Sequence, residues 1–287
     1  MAAAPELVWD VKAELGEGPV WVARDRAVWF VDIKGHRLHR YGHDDGSQAS
    51  WEAPDQIGFA LPAEDGGLIC GVRGGLHHFD PAAGAFRLIQ PVEADRPGNR
   101  LNDGLVAPDG SLWFGSMDDA EAAKTGALYR WTGRDGLERM DDGYGVTNGP
   151  ALCPRGRTMY HHDTLEKAIY AYDHADGRIT GRRLFATTED GYPDGPCVDA
   201  DGVLHVGLFG GWGVDRFAPD GRRLDRIQLP VPAVTKVAFA GDDLKTLYLT
   251  TAWMGMDDAR RAEAPRAGGL FRMVMERPGL AQQLIRL

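Results

Sequence analysis

Residues 28–41 of the chain read VWFVDIKGHRLHRY, a run of β-branched and aromatic residues, a polar break, and a second run ending in tyrosine. This pattern occurs six times, and its copies start at residues 28, 68, 112, 158, 203 and 247. The spacing of 40 to 46 residues matches the period of one four-stranded β-propeller blade. Because six copies span nearly all 287 residues, the sequence predicts an all-β fold, a single six-bladed propeller domain over 1–287 with four antiparallel strands per blade.

Four strands can be placed in each repeat. The first follows a turn motif, as at residues 19–22, the second and third are the two runs, and the fourth is a short apolar segment such as 50–53. Residues 6–11 (ELVWDV) stand where other repeats have their fourth strand, so we expect this N-terminal strand to close the last blade and protect the ring edge. The final residues, 279–287, are expected to add strand structure to the same blade.

Two stretches, 118–124 and 257–264, are compatible with a helix, and both fall between the second and third strands of their repeats. The longer loops that contain them, 117–125 and 253–267, are expected to leave the same face of the ring and to act as lids.

The composition excludes several classes of function. A net charge of -10 argues against nucleic acid and anionic membranes as partners, since both select basic surfaces. No stretch approaches the roughly 20 apolar residues of a membrane helix, and the first residues lack the features of a signal peptide. Cys70, Cys153 and Cys197 are odd in number and far apart, which indicates reduced core cysteines. We therefore expect a cytoplasmic protein, and we expect it to be a monomer.

Four turns place an oxygen-bearing side chain directly before a glycine and an apolar stretch: Glu17-Gly18, Asp103-Gly104, Asn148-Gly149 and Asp194-Gly195. In the predicted ring they all open the first strand of a blade, and that strand lines the central channel. Blades two and six hold residues 56–58 and 235–236 at the corresponding places. The sequence thus predicts six polar positions around one mouth of the channel.

Crowded carboxylates repel one another unless a cation lies between them. Carboxylate and amide oxygens suit Ca²⁺, Mg²⁺ or Mn²⁺, and Fe²⁺ and Zn²⁺ are also compatible. The pattern therefore predicts one divalent metal cation at the channel mouth. The alternative is plain turn chemistry, because Asp-Gly and Asn-Gly are common turn dipeptides in any β protein.

Several other side chains are of a type that could take part in the site. Arg100 and Asn102 precede Asp103 and suit the hydroxyls and carbonyl of a polyol, although a loop arginine paired with a nearby acid is the alternative. His161 and His162 cannot easily reach one ion, since adjacent strand residues point to opposite faces; we expect one buried and one facing a loop. Trp212 either stacks on a sugar or packs ordinarily. No GxSxG elbow is present.

The sequence resembles the regucalcin / senescence marker protein / gluconolactonase family of six-bladed propellers over essentially its whole length. The matching motifs are LGEGPVW (15–21), WFVDI (29–33), NRLNDG (99–104), FGSM (114–117), TNGP (147–150), YPDG (192–195) and VDADG (198–202). The stretches YHHDTLEKAIYAYD (160–173) and QLPVPAVTK (228–236) look most similar to bacterial sugar-acid lactonases, including xylonolactonases. Ser116 stands where the family usually has threonine.

The resemblance implies a catalytic divalent cation (Fe²⁺, Zn²⁺, Mn²⁺ or Ca²⁺) held by Glu17, Asn148 and Asp194. It also implies that Arg100 and Asn102 contact a sugar lactone, with Asp103 at the edge of the substrate site.

On this basis we expect hydrolysis of an aldonolactone, such as xylono- or gluconolactone, with Asp194 as the residue that moves the proton. Two alternatives stay open. One is an organophosphate hydrolase of the phosphotriesterase type on the same scaffold. The other is a non-enzymatic propeller that binds calcium or other proteins.

Overall fold

The protein is described by a computed structural model covering residues 4–287, so residues 1–3 of the predicted domain range lie outside the described part. Its 24 strands form six four-stranded antiparallel sheets, which are the blades of the ring. The predicted six-bladed propeller is confirmed.

Blades one to three follow the chain in order. Blade one consists of β2 (Gly16–Val22), β3 (Ala27–Asp32), β4 (Arg37–Gly42) and β5 (Gln48–Glu52). Blade two consists of β6 (Ile57–Pro62), β7 (Leu68–Val72), β8 (Gly75–Asp80) and β9 (Ala85–Pro91). Blade three consists of β10 (Asn99–Val106), β11 (Leu112–Asp118), β12 (Gly126–Thr132) and β13 (Gly136–Tyr144).

Blades four to six complete the ring. Blade four consists of β14 (Thr147–Leu152), β15 (Thr158–Asp163), β16 (Ala168–Ala175) and β17 (Arg178–Thr187). Blade five consists of β18 (Tyr192–Val198), β19 (Leu204–Phe209), β20 (Gly213–Phe217) and β21 (Arg223–Gln228). Blade six consists of β22 (Ala233–Ala240), β23 (Thr246–Ala252), β24 (Leu270–Val274) and β1 (Glu6–Trp9).

One strand of each blade lies innermost, and in blades one to five it is the first strand of the blade in chain order. These strands, β2, β6, β10, β14, β18 and β22, contact one another pairwise in a closed circle. Strand β2 is buried along its whole length, whereas the outer strand β5 alternates between exposed and half-buried residues. The core lies between the blades, as where Trp29 of blade one packs against Phe79 of blade two with ring centroids 6.1 Å apart. The innermost strands therefore surround a central channel.

The two ends of the chain behave differently. As predicted, the N-terminal strand closes the last blade, because β1 pairs antiparallel with β24. The expectation that 279–287 adds strand structure to this blade is wrong. Gly279 bridges to Asp199 of blade five, and Ile285 bridges to Ala63 of blade two. Since β1 already occupies the outer edge of blade six, the C-terminal segment crosses the ring instead.

Only one of the two helix-compatible stretches is helical. Helix α1 spans Asp258–Glu263, and the side chain of Asp257 caps its N-terminus. Residues 118–124 form a loop, in which the carboxylate of Asp118 accepts the backbone N–H groups of Ala122 and Ala123 at 3.0 Å. No helix within residues 4–287 is long and apolar enough to cross a membrane. The three cysteines carry free thiols, and burial raises the pKa of Cys70 and Cys197.

Candidate active site

Two cavities lie along the central channel. The upper cavity, of about 280 Å³, is lined by five of the six predicted site residues: Glu17, Arg100, Asn102, Asn148 and Asp194. The lower cavity, of about 260 Å³, has a mainly apolar lining that includes Phe59, Phe239 and residues 280–283 of the C-terminal segment. The sixth predicted residue, Asp103, lines the lower cavity.

A β-bulge in the innermost strands decides which side chain reaches which cavity. All six of these strands insert one extra residue before the register resumes, between Glu17 and Val20 in β2 and between Asn148 and Ala151 in β14, for example. Adjacent residues in extended backbone point in opposite directions. The bulge can therefore send neighbouring side chains into different cavities.

The register corrects one sequence-based expectation, that Glu17, Asp103, Asn148 and Asp194 occupy equivalent positions. Glu17 and Asn148 are the last paired residues before their bulges. Asp194 is the first residue inside its bulge, and the equivalent residue of β10 is Asn102. Asp103 comes one place later, which explains why it lines the lower cavity while Asn102 lines the upper one.

Two carboxylates of the upper cavity are strongly perturbed. Glu17 is 3% exposed and Asp194 is 7% exposed. Burial and the negative charge of Asp103 raise the pKa of Glu17 to about 7, against an opposing effect of Lys236. Burial and the negative charge of Glu17 raise the pKa of Asp194 well above its usual range. The protein by itself thus stabilises the protonated forms, and a cation between the two groups would stabilise the ionised forms.

The amide of Asn148 is fixed on both sides. Its Nδ2 donates to Oγ1 of Thr164 at 2.9 Å, and its Oδ1 accepts from Nδ2 of Asn102 at 3.0 Å. Asn102 also donates to the backbone oxygen of Thr147 at 2.6 Å. Because an amide oxygen has two lone pairs, Oδ1 of Asn148 keeps one for a ligand in the cavity.

The donor set fits a hard divalent cation. No group of three His, Cys, Asp or Glu side chains in metal-holding arrangement occurs among residues 4–287. Glu17 and Asp194 supply two carboxylates, so the third protein ligand would be the amide oxygen of Asn148. An all-oxygen set of this kind suits Ca²⁺, Mg²⁺ or Mn²⁺.

At the rim of the upper cavity, Arg100 is held by the carboxylate of Asp119, which accepts hydrogen bonds from four side chains. Arg100 is 4% exposed, and its Nε donates to Oδ1 of Asp119 at 2.9 Å. Asp119 also accepts from Lys34 at 2.6 Å, from Gln56 at 2.8 Å and from Arg73. Burial acts to raise the pKa of Asp119, but these hydrogen bonds and the charge of Arg100 outweigh it and hold that pKa below its usual range. Arg100 is therefore paired with an acid, as the alternative interpretation of the sequence expected. It nevertheless lines the upper cavity.

The histidine pair departs from its prediction. Both His161 and His162 are fully buried, so the expectation that one faces a loop is wrong. His161 packs edge-on against Tyr144 with ring centroids 4.9 Å apart. Nδ1 of His162 donates to the backbone oxygen of Asp194 at 2.8 Å, which helps fix that strand beside the cavity.

The loops add lining residues that sequence reasoning missed. Glu121, from loop 117–125, and Met254, from loop 253–267, both line the upper cavity. Glu121 has a φ of 56°, a turn conformation that no sequence motif predicted. Trp212 is 42% exposed and lines a neighbouring cavity of about 370 Å³, which shares Phe209 and Met254 with the upper one.

Comparisons with known proteins agree with this architecture. The sequence model described as "SMP-30/Gluconolactonase/LRE-like region" matches residues 15–253. The chain is 36% identical to the L-arabinolactonase of Azospirillum brasilense, with 98% of this chain and 95% of the relative covered. It is 34% identical to the 6-deoxy-6-sulfogluconolactonase of Pseudomonas putida, with 94% of each chain covered.

Among solved structures, the chain is similar to a calcium-binding protein, regucalcin, from Agrobacterium tumefaciens. The TM-score is 0.95 at 27% sequence identity, and the match covers 100% of this chain and 98% of that one. The similarity extends over the complete ring of blades.

Proposed function

Because the chain belongs to the SMP-30/gluconolactonase/LRE-like family, we propose that it hydrolyses a sugar lactone to the open-chain sugar acid in a reaction that depends on a divalent cation. Relatives named as lactonases of sugar acids support an aldonolactonase activity. We propose an aldonolactone such as xylono- or gluconolactone as substrate. One observation carries the proposal: two buried carboxylates, a fixed amide oxygen and a buried arginine line a single cavity of about 280 Å³.

Glu17, Asn148 and Asp194 are the proposed ligands of the cation. Such an ion would supply Lewis-acid polarisation of the lactone carbonyl. The raised pKa values of Glu17 and Asp194 support this assignment, because each carboxylate lies where its negative charge lacks a partner. The cation's identity is left to experiment.

The other wall of the cavity is the proposed substrate side. Arg100 presents a guanidinium that donates hydrogen bonds, and Asn102 presents an amide in a fixed orientation. Glu121 adds an acceptor for sugar hydroxyls from loop 117–125 of the same blade. Asp103 was predicted to contact the substrate, and that prediction stays untested; its place in the lower cavity supports a role beneath the ligands instead.

Asp194 is the proposed proton carrier. The oxygen of a water molecule attacks the lactone carbonyl carbon, and Asp194 takes the proton that the water loses. The bond between that carbon and the ring oxygen then breaks, and Asp194 returns the proton to the ring oxygen, which leaves as a hydroxyl. Arg100 and Asn102 hold the polyol so that the carbonyl stays beside Asp194.

The proposal is tested with the full chain after treatment with EDTA. A panel of pentono- and hexonolactones is assayed with Ca²⁺, Mg²⁺, Mn²⁺, Fe²⁺ and Zn²⁺ added singly, with paraoxon as an organophosphate control. We expect lactone hydrolysis that appears only with a divalent ion. Faster turnover of paraoxon would support the organophosphate alternative, and binding of Ca²⁺ without turnover of any lactone would support the non-enzymatic one.

A further inference from the structure

A lysine lies directly beneath the proposed cation ligands. Lys236 is on β22 of blade six, its side chain is 10% exposed, and its Nζ forms an ion pair with Oδ1 of Asp103 on blade three. It also lies 3.5 Å from the backbone oxygen of Gly104. The pair thus joins strands from opposite sides of the ring between the upper and the lower cavity.

Asp103 also contacts β14 of blade four, the strand that carries Asn148. Its Oδ1 accepts the backbone N–H of Gly104 at 2.7 Å, and its Oδ2 accepts the backbone N–H of Gly149 at 2.8 Å. Gly149 directly follows Asn148, the proposed amide ligand. Lys236 therefore fixes Asp103, and Asp103 fixes the backbone from which Asn148 projects.

The absence of a side chain at Gly195 leaves space for the aliphatic stem of Lys236. A side chain at Gly195 would place its Cβ 2.5 Å from Cγ and 2.6 Å from Cβ of Lys236. The φ of Gly195 is not in the left-handed region, so no turn conformation requires glycine here. Gly195 follows Asp194, and its glycine is explained by the close approach of the lysine stem.

The positive charge of Lys236 also affects the net charge of the proposed cation site. Glu17, Asp103 and Asp194 are buried, and each of the first two raises the electrostatic cost of ionising Asp194. Lys236 offsets one of the three negative charges when all are ionised. Two remain, which is the charge that one divalent cation neutralises.

We propose that Lys236 is a positioning residue that acts through its ion pair with Asp103 and sets the net charge of the cation site. This inference rests on the proposed function, since it concerns the same cation. It assigns Lys236 no contact with substrate.

The test uses four variants of the full chain: Lys236→Met, Lys236→Arg, Asp103→Asn, and the double variant Asp103→Asn/Lys236→Met. Each is treated with EDTA and titrated with Ca²⁺ and with Mn²⁺ by calorimetry, and its melting temperature is measured with and without the ion. These readouts do not depend on activity.

The sign of each change follows from the charge. Lys236→Met leaves three carboxylates uncompensated, so the ion-free protein should melt at a lower temperature and bind the cation about tenfold more tightly. Asp103→Asn removes a negative charge and should bind it about tenfold more weakly. The double variant restores the net charge, should fold even where Lys236→Met does not, and should bind within about threefold of wild type. Lys236→Arg keeps the charge and should resemble wild type.

The inference fails if Lys236→Met binds the cation as wild type does or more weakly, or if the double variant does not recover affinity relative to Asp103→Asn. A merely structural lysine would lower the melting temperature without tightening the binding. If the wild-type protein binds neither Ca²⁺ nor Mn²⁺, the titrations are repeated with Mg²⁺, Fe²⁺ and Zn²⁺. Binding of none of the five ions would contradict the proposed function itself, which keeps the two failures distinct.

Discussion

Nδ2 of Asn102 donates a hydrogen bond to Oδ1 of Asn148 at 3.0 Å. The contact joins the proposed substrate wall on blade three to the proposed cation ligands on blade four. Arg100 continues the same wall, since its Nη1 donates to Oδ1 of Asn102. If the proposed roles are right, binding of the polyol and orientation of the amide ligand would be coupled through the side chain of Asn102.

Replacement of Asp194, the proposed proton carrier, should strongly reduce turnover. Asp194→Asn keeps the size and one potential oxygen ligand but cannot take a proton, so kcat should fall by about 10²-fold or more. The matched control is Asp190→Asn, an exposed residue in the preceding loop, which should keep wild-type kcat. Steady-state kinetics with a lactone measures both, and circular dichroism shows whether the fold persists. Wild-type turnover in Asp194→Asn would remove Asp194 from this role.

Loss of the carboxylate charge of Asp119 should raise KM more than it lowers kcat. Asp119→Asn removes the charged partner of Arg100, whose hydrogen bond is worth about 1.5–3 kcal/mol, so KM should rise about tenfold or more. The control is Asp95→Asn, an exposed aspartate in the loop before β10. An unchanged KM with a reduced kcat would instead place the effect on the chemical step.

The C-terminal segment should contribute measurably to stability. Ile285 is fully buried, and its backbone N–H donates to the oxygen of Pro62 at 2.8 Å. Ile285→Ala should reduce the free energy of unfolding by about 2–4 kcal/mol in urea denaturation. Leu284→Ala, at a side chain that is 45% exposed, should change it by less than about 0.5 kcal/mol. Equal effects of the two substitutions would contradict the placement of the segment.

Buried histidines should make the fold sensitive to acid. Burial lowers the pKa of His161 to about 3 and that of His39 to about 4, while the unfolded chain keeps values near 6.5. Below pH 6.5 the unfolded state therefore binds more protons, and stability falls as the pH drops towards 3. For His161 the loss between pH 6.5 and pH 5 is about 2 kcal/mol.

The measurement is urea unfolding at pH 7 and at pH 5 for the wild type and for His161→Leu. The substitution removes one protonation from the unfolded state, so the difference between the two pH values should shrink by about 2 kcal/mol. An unchanged difference would mean that His161 is not the source of the acid sensitivity.

Much of the fold could be predicted because each repeat carries its own local pattern. The run that begins at Val28 recurs in every blade, and the N-terminal strand was recognisable from its position before the first repeat. The C-terminal segment was not predictable in this way. Its destination depends on which strand edge is free and on the pocket that buries Ile285, and both are properties of the assembled ring.

The site was predicted in its residue types and only partly in its geometry. The turn motifs identified Glu17, Asn148 and Asp194, which line one cavity. They could not separate Asn102 from Asp103, because a one-residue bulge decides which of the two faces the upper cavity. Loop residues such as Glu121 carry no repeat signal, since their positions depend on tertiary contacts.

We propose that lactone hydrolysis depends on a divalent cation held by Glu17, Asn148 and Asp194. The most direct measurement is the initial rate of xylonolactone and gluconolactone hydrolysis by EDTA-treated protein before and after a divalent ion is added back, for wild type and for Glu17→Gln. We expect the ion to restore at least one activity in the wild type and to restore much less of it in Glu17→Gln at the same concentration. Full activity of the ion-free protein, or equal recovery in both proteins, would contradict this proposal.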